Sequence, residues 1–177
     1  HAIPEQLQRL DPVLVTDVVR QDQCSATFAI ATWQVERLSD KGIMNPDGLF
    51  RVFGHGQGDA GIKSWSVVLK VFSQPNHTIE PDNLWYWKRE VDAVQSDMFA
   101  TLPSAIGAPR FYGATPQPGS VLLWMEHVTD AVIGPWQLEH CVLAAHQLGR
   151  FNAAYLQRNE LPMASWVELK NFSAVSS

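Results

Sequence analysis

The run Trp65-Ser66-Val67-Val68-Leu69-Lys70-Val71-Phe72 constrains the fold more than any other stretch of this chain. Its β-branched and aromatic residues make it the strongest strand signal present. It also carries a cation at its centre. An ammonium flanked by Leu69 and Val71 must either snorkel to water or meet a negative partner. Two further extended segments precede it, Thr27 to Leu38 and Leu49 to Phe53. The stretch Ser39 to Gly48 (SDKGIMNPDG) between them is turn chemistry throughout. Gly54 to Gly61 (GHGQGDAG) reads as a flexible loop. After the strong strand comes a polar loop, Pro75 to Asn83. A helix is predicted over Leu84 to Phe99, where Leu84, Trp87, Val91, Val94 and Met98 step by three and four along one face. Pro109 to Ala114 and Ser120 to Glu126 read as two more strands across the turn Pro116-Gln117-Pro118-Gly119. Pro135 opens a long helix to about Gln157, apolar at Leu138, Cys141, Val142, Ala145 and Leu148. Near the start, Asp11-Pro12 is an N-cap followed by Pro at the first helical position, with Val13, Leu14, Val18 and Val19 behind it.

Three strands, a helix, two strands and a helix give an α+β layout. Consecutive strands with tight turns pair antiparallel, so a five-stranded antiparallel sheet with one packed helix is expected, not the alternating βαβ of a doubly wound sheet. The composition agrees with a packed domain. The 177 residues are 46% hydrophobic and 18% charged, which excludes a disordered chain. A net charge of −5 argues against a nucleic-acid partner. No apolar run approaches bilayer length and no basic-then-apolar leader opens the chain, so no membrane partner and a cytoplasmic location are expected. Cys24 and Cys141, far apart in sequence, fit reduced thiols better than a disulfide scaffold or a zinc site. The seven tryptophans read first as core filling.

Several motifs fail on context. Gly56, Gly58 and Gly61 form a literal G-x-G-x-x-G, but a strand follows where a dinucleotide site needs a helix. His140, Cys141 and His146 share a helix without metal-ligand spacing. No G-x-S-x-G elbow exists. What remains centres on Lys70. Glu90 lies on the next helix, at the edge of its apolar stripe. A Lys on the third strand and a Glu on the following helix form the ion pair that holds nucleotide phosphates in kinases. The Ser39–Gly48 loop can fold over phosphates and offer backbone N–H donors. The fifth strand ends in Leu123-Trp124-Met125-Glu126-His127-Val128, where such a strand would leave the sheet as a hinge.

In this order, WSVVLKVF (65–72), YWKREVDAVQSDM (86–98), APRFYGA (108–114), VLLWMEHV (121–128) and LGRFNAAYL (148–156) resemble the N-terminal half of the aminoglycoside phosphotransferase and choline kinase-like superfamily, which has the protein-kinase-like fold. The resemblance covers roughly residues 25 to 160. It implies an N-lobe over 25–128 after an N-terminal helical segment, 1–24. A hinge and the first C-lobe helix would follow over 129–177. It implies that Lys70 binds the α- and β-phosphates and Glu90 orients it. Ser39, Gly42 and Gly48 would belong to the loop over the phosphates, and Met125 would be the gatekeeper. Glu126 and Val128 would offer backbone groups to adenine, and Asp130 would reach the ribose. ATP and Mg²⁺ would be the cofactors, and the acceptor a hydroxyl of a small molecule. One departure stands out: the family's H-x-D-x-x-x-x-N catalytic loop is absent, since His127-Val128-Thr129-Asp130 is H-x-x-D, and the loop is expected beyond Ser177. No catalytic residue is therefore expected within this chain. A non-catalytic nucleotide-binding or pseudokinase-like domain, or an unrelated α+β ligand-binding domain, are the other readings. The helix from Pro135 is expected to expose an apolar face and support a homodimer.

Overall fold

The computed structural model describes residues 4, 7, 9–39, 48–83, 85–103, 106–132, 134–157 and 164. The fold is α+β, with a five-stranded antiparallel sheet. Its strands are β1 (Ala29–Ser39), β2 (Leu49–Gly58), β3 (Gly61–Ser73), β4 (Phe111–Gln117) and β5 (Ser120–Glu126), in the order β1-β2-β3-β5-β4. The helices are α1 (Pro12–Asp22), α2 (Arg89–Gln95) and α3 (Leu138–Gln157). The chain divides into two compact units. The first is His1–His77 with Pro109–His127, and the second is Thr78–Ala108 with Val128–Ser177. No helix among the described residues is long and apolar enough to cross a membrane.

In the first unit α1 starts where the sequence says. The Asp11 carboxylate accepts from the Val13 N–H at 2.9 Å, and Pro12 follows at the first turn. Val15, Val18 and Val19 then turn inward, joined by Leu7 and Leu10. They meet one face of the sheet, built from Phe50 and Val52 of β2, Trp65, Val67, Leu69 and Val71 of β3, and Leu122 and Trp124 of β5. Each buried valine of α1 contributes roughly 1.5–3 kcal/mol by leaving water. The N-terminal segment is thus part of the sheet's own core. Side chains alternate across the sheet, so the opposite face of β3 carries Ser66, Val68, Lys70 and Phe72.

The expected flexible loop Gly54 to Gly61 is instead ordered strand. β2 continues to Gly58, Asp59 and Ala60 make the turn, and β3 begins at Gly61. The glycines are there for space. A Cβ on Gly54 would sit 1.9 Å from the Thr32 carbonyl oxygen, and one on Gly56 would sit 2.3 Å from the Phe28 ring. β1 bulges between Ile30 and Thr32, which pushes its backbone against Gly54.

In the second unit the expected helix Leu84 to Phe99 shortens to Arg89–Gln95, followed by a 3₁₀ turn, Asp97–Thr101. Local hydrogen bonds compete with the helix at both ends. The Asn83 side chain accepts from the Trp85 N–H at 2.9 Å, and the Arg89 guanidinium donates to the Asn83 carbonyl at 2.6 Å and the Pro81 carbonyl at 3.3 Å. At the other end Ser96 is extended, and its hydroxyl accepts from the Met98 N–H. Helix α3 begins at Leu138 rather than Pro135. The Gln137 N–H donates to His140 Nδ1 at 3.0 Å, while its carbonyl accepts from the His140 N–H, so Gln137 caps the helix reciprocally. Leu138, Val142, Leu143 and Leu148 of α3 are exposed.

Candidate functional site

The register of the sheet fixes where the residues singled out in the sequence lie. Lys70 pairs with Leu49 of β2 on one side and Leu123 of β5 on the other. Ser39 pairs with Leu49 at the opposite end of the same row. The Gly48 end of the Ser39–Gly48 stretch therefore lies beside Lys70, with Ser39 one strand beyond it, and the Val71 N–H donates to the Gly48 carbonyl at 3.4 Å. Gly48 takes φ +103°, and a Cβ there would meet the Arg37 guanidinium at 2.6 Å, so only glycine closes this end of the turn without strain. Gly42 and the rest of 40–47 lie outside the described residues. Met125 sits two register steps further along, opposite Val68, and Glu126 is opposite Val67 at the end of β5. Lys70 and the exit of β5 are thus three register steps apart, about 10 Å along the strand. The Lys70 ammonium lies 5.3 Å from the centroid of the Phe72 ring on its own face, a cation–π contact of about 0.5–1 kcal/mol at such sites.

Glu90, Val128 and Asp130 belong to the second unit. Glu90 is half-buried in the first turn of α2, while Val128 and Asp130 are exposed.

Two side-chain networks of the first unit escaped the sequence reading. One fixes the end of β5. The Arg110 guanidinium pairs with the Glu126 carboxylate at 3.2 Å, the Arg110 N–H donates to the other carboxylate oxygen at 3.0 Å, and the Glu126 N–H donates to the Arg110 carbonyl. The backbone N–H and then the guanidinium of Arg110 hold the Glu126 carboxyl below the usual carboxylate range. Beside it the Tyr112 hydroxyl donates to Asp22 at 2.7 Å, tying β4 to the end of α1. Burial first, and then this bond to a carboxylate, push the Tyr112 phenol far above its ordinary value.

The other network crosses the Lys70 face. Glu36 of β1 accepts from Arg51 Nη1 at 3.0 Å, Arg51 Nε donates to the Ser66 hydroxyl at 2.8 Å, and Ser66 Oγ lies 2.9 Å from His127 Nδ1. The Arg51 guanidinium stands 4.3 Å over the centroid of Phe53. Beside it an open groove of about 250 Å³ is lined by Thr32, Gln34, Phe53 and His55. The only sequence signal for this network was opposite charge on two neighbouring strands. Pairing Glu36 with Arg51 requires the register, which no period reveals.

Among the described residues no group of three or more His, Cys, Asp or Glu side chains could hold a metal ion. What the first unit offers chemically is a row of parts on one rigid sheet: a mid-strand ammonium, the two ends of a glycine-closed turn, and a strand exit three rows away. Compared with family models, curated proteins and solved structures, the chain finds no match.

Proposed function

We propose that this chain carries the nucleotide-binding lobe of an ATP-dependent phosphotransferase acting on a hydroxyl of a small molecule. The observation that carries this reading is the row geometry of the first unit. Lys70 stands between the Ser39–Gly48 turn and the β5 exit at Glu126, with about 10 Å from Lys70 to that exit. That separation suits a ligand whose negatively charged end meets Lys70 and whose ring end meets backbone groups at Glu126. Lys70 would neutralise the α- and β-phosphates as a point charge. The turn would supply backbone N–H donors to the same phosphates, as loops of successive amides do. Met125 would border the ring as gatekeeper. The resemblance gives Glu90 the orientation of Lys70, Val128 a second backbone contact to the ring, and Asp130 the ribose. Mg²⁺ supplies charge neutralisation at transferring phosphates.

Titration of the chain with Mg-ATP by calorimetry tests this reading. Lys70→Ala should weaken binding at least tenfold, the loss expected when a charged hydrogen bond worth about 1.5–3 kcal/mol is removed. Glu90→Gln should weaken it less. Equal affinity of Lys70→Ala and the unsubstituted chain would move the site away from Lys70 and end the kinase-like assignment.

A further inference from the structure

The register puts Arg51 directly between the two ends of the proposed site. It pairs with Val68, two register steps from Lys70 toward Glu126, and Val68 pairs in turn with Met125. Cross-strand partners share a face, so Arg51 lies on the Lys70 face. A nucleotide reaching from Lys70 to the β5 exit must pass this row. Arg51 is held for the encounter in an unusual way. Glu36 takes Nη1, Ser66 takes Nε, and Phe53 covers one face of the guanidinium. Its side chain keeps about a third of its surface exposed, 32%, and Nη2 has no hydrogen-bond partner among the described residues. Ser66 Oγ accepts from Arg51 Nε and also lies within hydrogen-bond distance of His127 Nδ1, 2.9 Å, which ties the network to the residue after β5.

We propose that Arg51 is a base-stacking residue. Its guanidinium plane, with Phe53 behind it, presents its other face to the nucleobase, while Glu36 and Ser66 act as positioning residues. The inference rests on the phosphotransferase reading and adds a specificity-determining group to the same site. Planarity is what distinguishes it from a second phosphate-binding cation. A guanidinium stacks on aromatic rings, whereas a lysine ammonium offers a point charge and no plane. Glu36 also offsets the Arg51 charge, which favours a stacking role over a phosphate-neutralising one. The fixed plane costs little further ordering on binding, since three neighbours already hold it.

The experiment compares Mg-ATP with inorganic tripolyphosphate, which has phosphates and no base. ATP binding is measured by calorimetry on the 177-residue chain, and tripolyphosphate by its competition with ATP. Arg51→Lys keeps the charge and loses the plane. It should weaken ATP about tenfold, in the range of one base–side-chain stacking contact, and leave tripolyphosphate unchanged. Ser66→Ala, which frees the guanidinium to rotate, should weaken ATP by a smaller factor in the same selective way. It carries the test by itself if Arg51→Lys fails to fold. Lys70→Ala should weaken both ligands. Equal weakening of both ligands by Arg51→Lys, or weakening of neither, overturns the stacking role and leaves the phosphotransferase reading intact. Absence of ATP binding to the unsubstituted chain, or failure of tripolyphosphate to compete, overturns that reading and this inference with it.

Discussion

Gly54→Ala tests the register on which the site is built. In the native sheet Gly54 faces Trp33 across the ladder, next to the β1 bulge. An added methyl group would meet the Thr32 carbonyl oxygen at 1.9 Å, and the Thr32 carbonyl carbon and Trp33 Cα at 2.8 Å. Ordinary contacts of a real Cβ lie at 3.4–4 Å, so the two strands would have to part by about 1.5 Å. The obstruction is backbone, which cannot rotate aside as a side chain can. Ladder pairs on both sides, Gln34 with Phe53 and Thr32 with His55, resist the shift. Overpacking of this kind costs typically 1–3 kcal/mol, and a backbone clash belongs at the upper end, about 3 kcal/mol. For a chain of this size each kcal/mol lowers the melting temperature by about 2–4 °C, so a fall of roughly 6–12 °C is expected. The assay is thermal unfolding followed by circular dichroism, with Gly107→Ala as control, because no atom lies within 4 Å of its added methyl. That control should stay within about 2 °C of the parent, as surface substitutions away from special features do. A Gly54→Ala protein that melts with its parent would show that β1 does not lie where the bulge puts it.

Tyr112→Phe probes the alkaline side. The phenol keeps its proton in the fold far beyond its ordinary value, so its contribution is intact below about pH 10 and is lost as pH rises from there toward the folded value. Urea midpoints of the parent should fall above about pH 10, and those of Tyr112→Phe should fall less steeply. Part of the slope should survive in the variant, because burial and a bond to Asp92 push Tyr86 up to about 12. Equal slopes would remove Tyr112 from the account. Gly149→Ala, in the interior of α3 with no atom within 4 Å of the new methyl, should stabilise the helix by about 0.5–1 kcal/mol. Slower amide exchange along α3 would show it, and faster exchange would contradict it.

The parts of the fold legible in the sequence were those written in a local code. Asp11-Pro12 marks the start of α1 through one carboxylate and one fixed φ. Ser120–Glu126 shows as strand because its apolar run is bounded by Pro118-Gly119. The strand order could be anticipated only as far as consecutive pairing. The parts that were not legible depend on distant neighbours. Gly54 and Gly56 carry the same signal as a flexible turn, and only the approach of Thr32 and Phe28 explains them. The ends of α2 were masked by a good apolar stripe, against which Asn83, Arg89 and Ser96 compete through side-chain bonds. In the candidate site, Lys70 announced itself as a charge in an apolar strand. Arg51 did not, since Leu-Phe-Arg-Val-Phe is what any half-exposed strand looks like.

The junction between β3 and β5 has a kinetic consequence. β1, β2 and β3 follow one another, and β4 and β5 form a hairpin, so each block can assemble locally. Joining the blocks closes a loop of roughly 45 residues between Ser73 and Ser120, at an entropic cost about 3 kcal/mol above that of a two-residue hairpin. Long-range pairing of this kind comes late in folding. The pairs Lys70 with Leu123 and Val68 with Met125 both belong to that junction. A partly folded chain can therefore hold its meander and its hairpin and still have no row from Lys70 to Glu126. A ligand that needs the whole row would bind only molecules that have completed this last closure, and in doing so would slow its reversal.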